Sequence, residues 1–150
     1  MKPEELAHWI SEEHQKVREL AGRLRECVVY VPRTNHEKWL CGVREAFEHL
    51  RAHLTKHMSL EENEGYMVSV VEQRPALSRE VERLAHEHGE FIRLMNDIHQ
   101  HLLDLQPQDQ LLIRDSCHRL RDLLSYVEHH KNEENLLVSS VFNLDIGAGE

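Results

Sequence analysis

Apolar residues recur every three to four positions along four long stretches of the chain. At 100° per residue such positions share one side of a helix. The first stretch carries Leu6, Ile10, Val17, Ala21, Leu24 and Val28, and the second Val43, Phe47, Leu50, Leu54 and Val68. The third carries Leu77, Leu84, Phe91, Met95, Ile98 and Leu102, and the fourth Ile113, Leu120, Leu123, Leu124, Val127, Leu137 and Val141. Turn signals separate them at Val31-Pro32-Arg33-Thr34-Asn35, at Gln73-Arg74-Pro75 and at Gln106-Pro107. The pattern predicts helices over about 3–30, 36–71, 76–105 and 109–140. Pro3 suits a first helical turn, and Thr34 or Asn35 can cap the second helix. Long amphipathic helices joined by short loops predict an all-α fold, an antiparallel up-down-up-down four-helix bundle. Residues 1–150 read as one domain, with an irregular tail over 143–150.

Six residues inside these apolar stripes are polar: His14, His57, Glu61, His88, His130 and Glu134. Imidazoles and carboxylates are costly in an apolar core unless something satisfies them, and a pair of metal ions would satisfy all six. A weak repeat supports the arrangement. A shift of 74 maps Glu13-His14 onto Glu87-His88, and a shift of 73 maps His57 onto His130 and Glu61 onto Glu134. The chain thus reads as one helical hairpin used twice, with half a site on each.

The spacing His-x3-Glu is not specific by itself, because it begins at His8, His57, His86, His129 and His130. Facing discriminates: only His57/Glu61 and His130/Glu134 centre on their stripes. A rival register remains in the fourth helix. The tripeptide EEN at 61–63 and again at 133–135 would select His129 and Glu133 instead. Four imidazoles and two carboxylates divide into two histidines per metal with both carboxylates shared. A six-coordinate pair then keeps room for an oxo or hydroxo bridge and one open position on each ion. Mixed nitrogen and oxygen donors with open positions suit iron, with manganese or zinc as alternatives.

Composition narrows the partners. The net charge of −9 argues against nucleic acid and anionic membranes. No run approaches the roughly 18 apolar residues that span a bilayer. The opening MKPEELAHWI lacks a signal-peptide core, so a cytoplasmic location is expected. Cys27, Cys41 and Cys117 show no metal or redox spacing and are expected to be reduced thiols.

The motifs Glu13-His14, His57-Met-Ser-Leu-Glu61-Glu62, Glu87-His88 and His130-x3-Glu134 resemble those of the hemerythrin-like (HHE cation-binding) family, over about residues 5–142. The resemblance implies a non-haem di-iron centre that meets NO, O2 or peroxide, in stress response or iron handling, with a possible electron donor protein. The alternative it allows is a reversible O2 or iron sensor or store without turnover. Oxygen-carrying members use a fifth histidine on the third helix, where this chain has Leu84 or Ile92. The set of four histidines and two glutamates looks more like that of iron-centre repair proteins. Around the site, Glu13 and Glu87 either orient ligand imidazoles or serve as surface charges. His53 and Tyr126, one turn before His57 and His130, either line the pocket or pack beside it. His99, His101, His118 and His129 are expected in solvent. Met58, Met67 and Met95 are expected in the core, with Trp9 and Trp39 as packing anchors.

Overall fold

The structure is a computed structural model and describes residues 2–142; the tail expected over 143–150 lies outside them. Its helices are α1 (Pro3–Val29), α2 (His36–Asn63), the short α3 (Tyr66–Gln73), α4 (Ser78–Asp104) and α5 (Gln110–Phe142), with a 3-10 turn at Pro75–Leu77 before α4. The four long helices form an all-α bundle. α1 packs on α2 and α5, and α4 packs on the same two, so α1 and α4 sit on one diagonal.

Polar devices pin the loop end of the bundle. Asn35 precedes α2 in the left-handed conformation, with φ 59°, which asparagine tolerates better than most residues. It sits at the cap position without a side-chain cap bond. The Trp39 indole N–H donates to the Cys27 carbonyl at 2.8 Å and ties α2 to the end of α1. Arg44 donates from α2 to the carbonyls of Leu102 and Leu105, at 2.8 and 2.9 Å. Those carbonyls close α4, where helix ends leave acceptors unfilled and favour a cation.

One stretch differs from its expected bounds. The second helix, read as continuous over 36–71, stops at Asn63 and restarts as α3. Gly65 makes the break. A Cβ there would stand 2.9 Å from the Glu61 Cα and 3.2 Å from the Leu60 oxygen. Only a residue without a side chain lets the strand of backbone fold back so tightly over the last turn of α2. The new helix changes which residues point inward. Tyr66, Met67 and Val70 are buried, and Val68 is exposed. Near the end of α5 the inward position is taken by Val138, while Leu137 is only half-buried.

The core has two apolar parts. The larger, built around Leu24, Phe47, Leu50, Met95, Leu120 and Leu123, fills the loop end. The smaller joins Leu6, Ile10, Tyr66, Val70, Leu84 and Val138 at the α3 end. Between Ile10 and Val17 in α1, beyond Leu54 in α2, between Leu84 and Phe91 in α4 and between Val127 and Val138 in α5, the long helices turn polar residues inward. That polar layer separates the two parts.

Candidate metal centre

Each long helix contributes to the layer. His14 comes from α1, His57 and Glu61 from α2, His88 from α4, and His130 and Glu134 from α5. A spacing of four residues puts two side chains on one helix face, one above the other, so α2 and α5 each present a histidine and a glutamate together. All six are buried, none more than 6% exposed. They form two overlapping groups, His14/His57/Glu61/Glu134 and Glu61/His88/His130/Glu134, within each of which the nearest donor atoms lie inside 4.8 Å of one another. The two carboxylates belong to both groups.

The carboxylate oxygens divide between the halves. Glu61 turns Oε2 to His57 Nε2 at 3.4 Å and Oε1 to His88 Nε2 at 3.4 Å. Glu134 turns Oε1 to His14 Nε2 at 3.7 Å and Oε2 to His130 Nε2 at 3.3 Å. His88 and His130 approach each other through Nε2 at 3.1 Å, about the separation of two imidazole nitrogens bound side by side to one ion at roughly 2.1 Å.

Most of these contacts are charge contacts, too long or too poorly aligned for hydrogen bonds. Both ring nitrogens of His14, both oxygens of Glu61, and Nδ1 of His57 and of His88 are buried without a hydrogen-bond partner. Buried polar atoms are otherwise almost always satisfied. A cation among them would supply what the protein does not, so the residues fit a metal centre.

Electrostatics agree. Burial holds His14 and His57 below the ordinary imidazole value, in the neutral form that ligation requires. Burial and the facing Glu134 push Glu61 well above the carboxylate range. Burial would do the same to Glu134, but His130, His14 and His88 overcome it and hold that group well below. Burial opposes charge on His88 too, yet Glu134 and Glu61 raise it to about 9. His130 is raised against burial by Glu134 and Glu87. The Nε2 atoms of these two rings lie 3.1 Å apart, and the facing carboxylates draw positive charge to that half of the layer.

Outer groups brace the rings. His130 Nδ1 meets Glu87 Oε1 at 2.7 Å, and Arg83 holds Glu87 Oε2 at 3.1 Å. Glu13 Oε2 lies 3.2 Å from His57 Nδ1 and 3.1 Å from His53 Nε2. Those are ion-pair distances without hydrogen-bond alignment, since both nitrogens stay unpartnered by that criterion. His53 also stacks on His57, and Trp9 stacks on it with centroids 5.3 Å apart. Trp9 therefore sits against the site as well as packing. Nδ1 of His88 faces Glu62 at 3.6 Å.

Four other placements complete the comparison with the sequence. His129 points to solvent, 75% exposed, and pairs with Glu133 at 2.6 Å; Glu133 also takes a bond from Arg83. Neither joins the buried layer. Tyr126 does not line the site: it is 52% exposed, in a surface hollow beside Glu87 and His129. Four residues of helix leave it about 40° round from His130, and that turns it outward between α4 and α5. His99 is half-buried rather than solvated, with Nδ1 2.6 Å from Glu48 Oε1. Tyr66 was missed: its hydroxyl donates to Glu134 Oε2 at 2.6 Å from full burial. Helical periodicity could not place it, because the phase resets at Gly65. That glycine beside an aromatic residue was the only signal. The three cysteines are free thiols, and Cys117 is buried in the larger core.

The family model of the hemerythrin HHE cation binding domain matches residues 5–141. The chain belongs to that family, and its fold is a hemerythrin-like four-helix bundle. No curated protein gives a significant match, and neither does any solved structure. No helix among the described residues is long and apolar enough to cross a membrane. The fold, the family and the buried His/Glu cluster together define a metal-binding hemerythrin-like protein.

Proposed function

We propose that the chain is a non-haem di-iron protein that reacts with a small ligand, NO, O2 or peroxide. His14 and His57 would hold one ion, His88 and His130 the other, and Glu61 and Glu134 would be shared. One observation carries this reading: two buried donor groups overlap in both of their carboxylates. A single ion would leave two histidines without a role; zinc has no redox chemistry, and mixed nitrogen and oxygen donors with open positions suit iron, with manganese as the alternative.

Iron would supply positions open to a ligand and electrons to reduce it. The chain's own residues set what reaches those positions. The cavity at the layer has a volume of only about 20 Å³, and beyond the donor residues it is walled by Val17, Leu54, Met58, Phe91 and Val127, with Lys131 at one side. That is scarcely more than one water-sized sphere. Walls that are mostly apolar favour small, weakly polar ligands over larger or strongly hydrated species. Leu84 is buried and Ile92 is partly exposed, and neither can add a donor. Electrons for turnover would come from a donor protein, in a cytoplasmic setting of nitrosative or oxidative stress or iron handling.

Anaerobic loading with ferrous iron tests the count: elemental analysis should give two ions per chain. Titration of that protein with NO should then give nitrosyl spectra beyond one equivalent per site. One ion per chain would refute the shared-carboxylate centre. Stable reversible O2 binding without oxidation would replace reaction by sensing or storage.

A further inference from the structure

The two halves of the layer each pair two histidines with the shared carboxylates, and they differ in what holds those carboxylates. Glu134 Oε2, the oxygen facing His130 at 3.3 Å and His88 at 3.7 Å, accepts the Tyr66 hydroxyl at 2.6 Å. Glu61 has nothing comparable, since both of its oxygens lack a hydrogen-bond partner. A phenol hydroxyl is a directional donor, and this one is fixed. Tyr66 is fully buried, on a helix of eight residues that starts where Gly65 folds the chain back over Glu61. Met67 and Val70 of the same helix lock it into the smaller apolar part of the core. The hydroxyl therefore cannot follow Glu134 if the carboxylate rotates; it sets where Oε2 points.

We propose that Tyr66 is a positioning residue that makes the two metal positions unequal, by fixing the Glu134 oxygen that serves the His88–His130 half. This rests on the two-metal reading above. Without the hydroxyl the Glu134 carboxylate is free to turn; Oε1 turns with it, but only Oε2 loses a hydrogen bond, so the His88–His130 position loses most. The His14–His57 position keeps both histidines and the untouched Glu61. Loss of a hydrogen bond to a ligating carboxylate typically weakens metal binding about 10–100-fold, and here the loss should fall on one position.

Stepwise anaerobic titration with cobalt(II), read by its visible absorption, tests this on the whole chain. Wild-type protein should bind two equivalents. Tyr66→Phe keeps the ring and its packing, so one of its two binding steps should stay close to wild type and the other should be about tenfold weaker or worse. Val81→Ala disturbs the same small core from α4, outside the helix that carries Tyr66, and should leave both steps unchanged. Equal weakening of both steps, no weakening, or the same loss in Val81→Ala would overturn the proposal. So would a visible charge-transfer band in the ferric protein that disappears in Tyr66→Phe, which would make Tyr66 a ligand instead. Wild-type protein that binds fewer than two ions would fail the two-metal reading itself, whatever Tyr66 does.

Discussion

His129 and His130 are neighbours in sequence and face opposite ways in space. One residue of helix is 100° of rotation, and it takes the side chain from 75% exposure at His129 to the buried layer at His130. The same step separates Glu133, held by Arg83 at the surface, from Glu134, which faces three histidines. His130→Ala should therefore remove the metal of its half, lowering the loaded count from two ions towards one or none. His129→Ala should keep both, because it cuts only a surface pair worth little. Metal analysis of the two variants side by side decides this, and the reverse pattern would mean that the other register is in use. At this scale, facing is legible wherever a helix runs unbroken: the six polar residues picked from the stripes all lie in one layer. Tyr126 shows where the method frays, since a residue at the stripe's edge falls inside or outside by a few tens of degrees. Tyr66 shows where it fails, since its direction depends on a new helix that begins at that residue.

That restart belongs to the element scale. The region 62–65, Glu-Asn-Glu-Gly, reads equally well as the polar flank of one continuous helix and as a turn. Nothing local separates the two, because glycine inside a helical pattern is tolerated at modest cost. What decides it is tertiary: α3 covers the α3-end core with Tyr66, Met67 and Val70. Two glycines make the point testable. At Gly65 a methyl would meet the backbone of Glu61 and Leu60, which cannot swing aside as a flexible side chain can. Gly65→Ala should cost about 1–3 kcal/mol in denaturant unfolding. It should also weaken metal binding, because the displaced backbone carries Glu61. Gly89, on an exposed face of α4, has nothing within 4 Å of an added methyl. Gly89→Ala should stabilise by about 0.5–1 kcal/mol, by removing freedom from the unfolded chain and favouring the helix. If both variants behaved alike, the close approach at Gly65 would not be what ends α2.

The whole molecule is two apolar cores with a polar layer between them, and it depends on that layer in a way that neither core does. In the larger core every inward position adds buried apolar surface. In the layer, six polar side chains face one another and half of their donor atoms have no hydrogen-bond partner. A half-satisfied polar network is a poorer interior than an apolar one. The metal-free bundle must therefore tolerate this seam between its two ends. The seam was legible from sequence as the four inward histidines. Its consequence for the cores was not, because periodicity gives faces and not which faces meet. Metal that binds only the folded chain adds stability that grows with the logarithm of its concentration over the dissociation constant, about 2.7 kcal/mol at a hundredfold ratio. For a chain of this size that corresponds to a rise in melting temperature of roughly 5–10 °C. The gain should also be uneven along the chain. Amides of α3 and of the last turns of α5 should exchange fastest in the metal-free form, because the small core they belong to is joined to the rest through the layer. Amides around Phe47, Leu50 and Leu120 should change little. Hydrogen exchange with and without metal reads this directly. A metal-free protein that melts no lower than the loaded one, with uniform protection at both ends, would show that the two cores hold the bundle together without the layer.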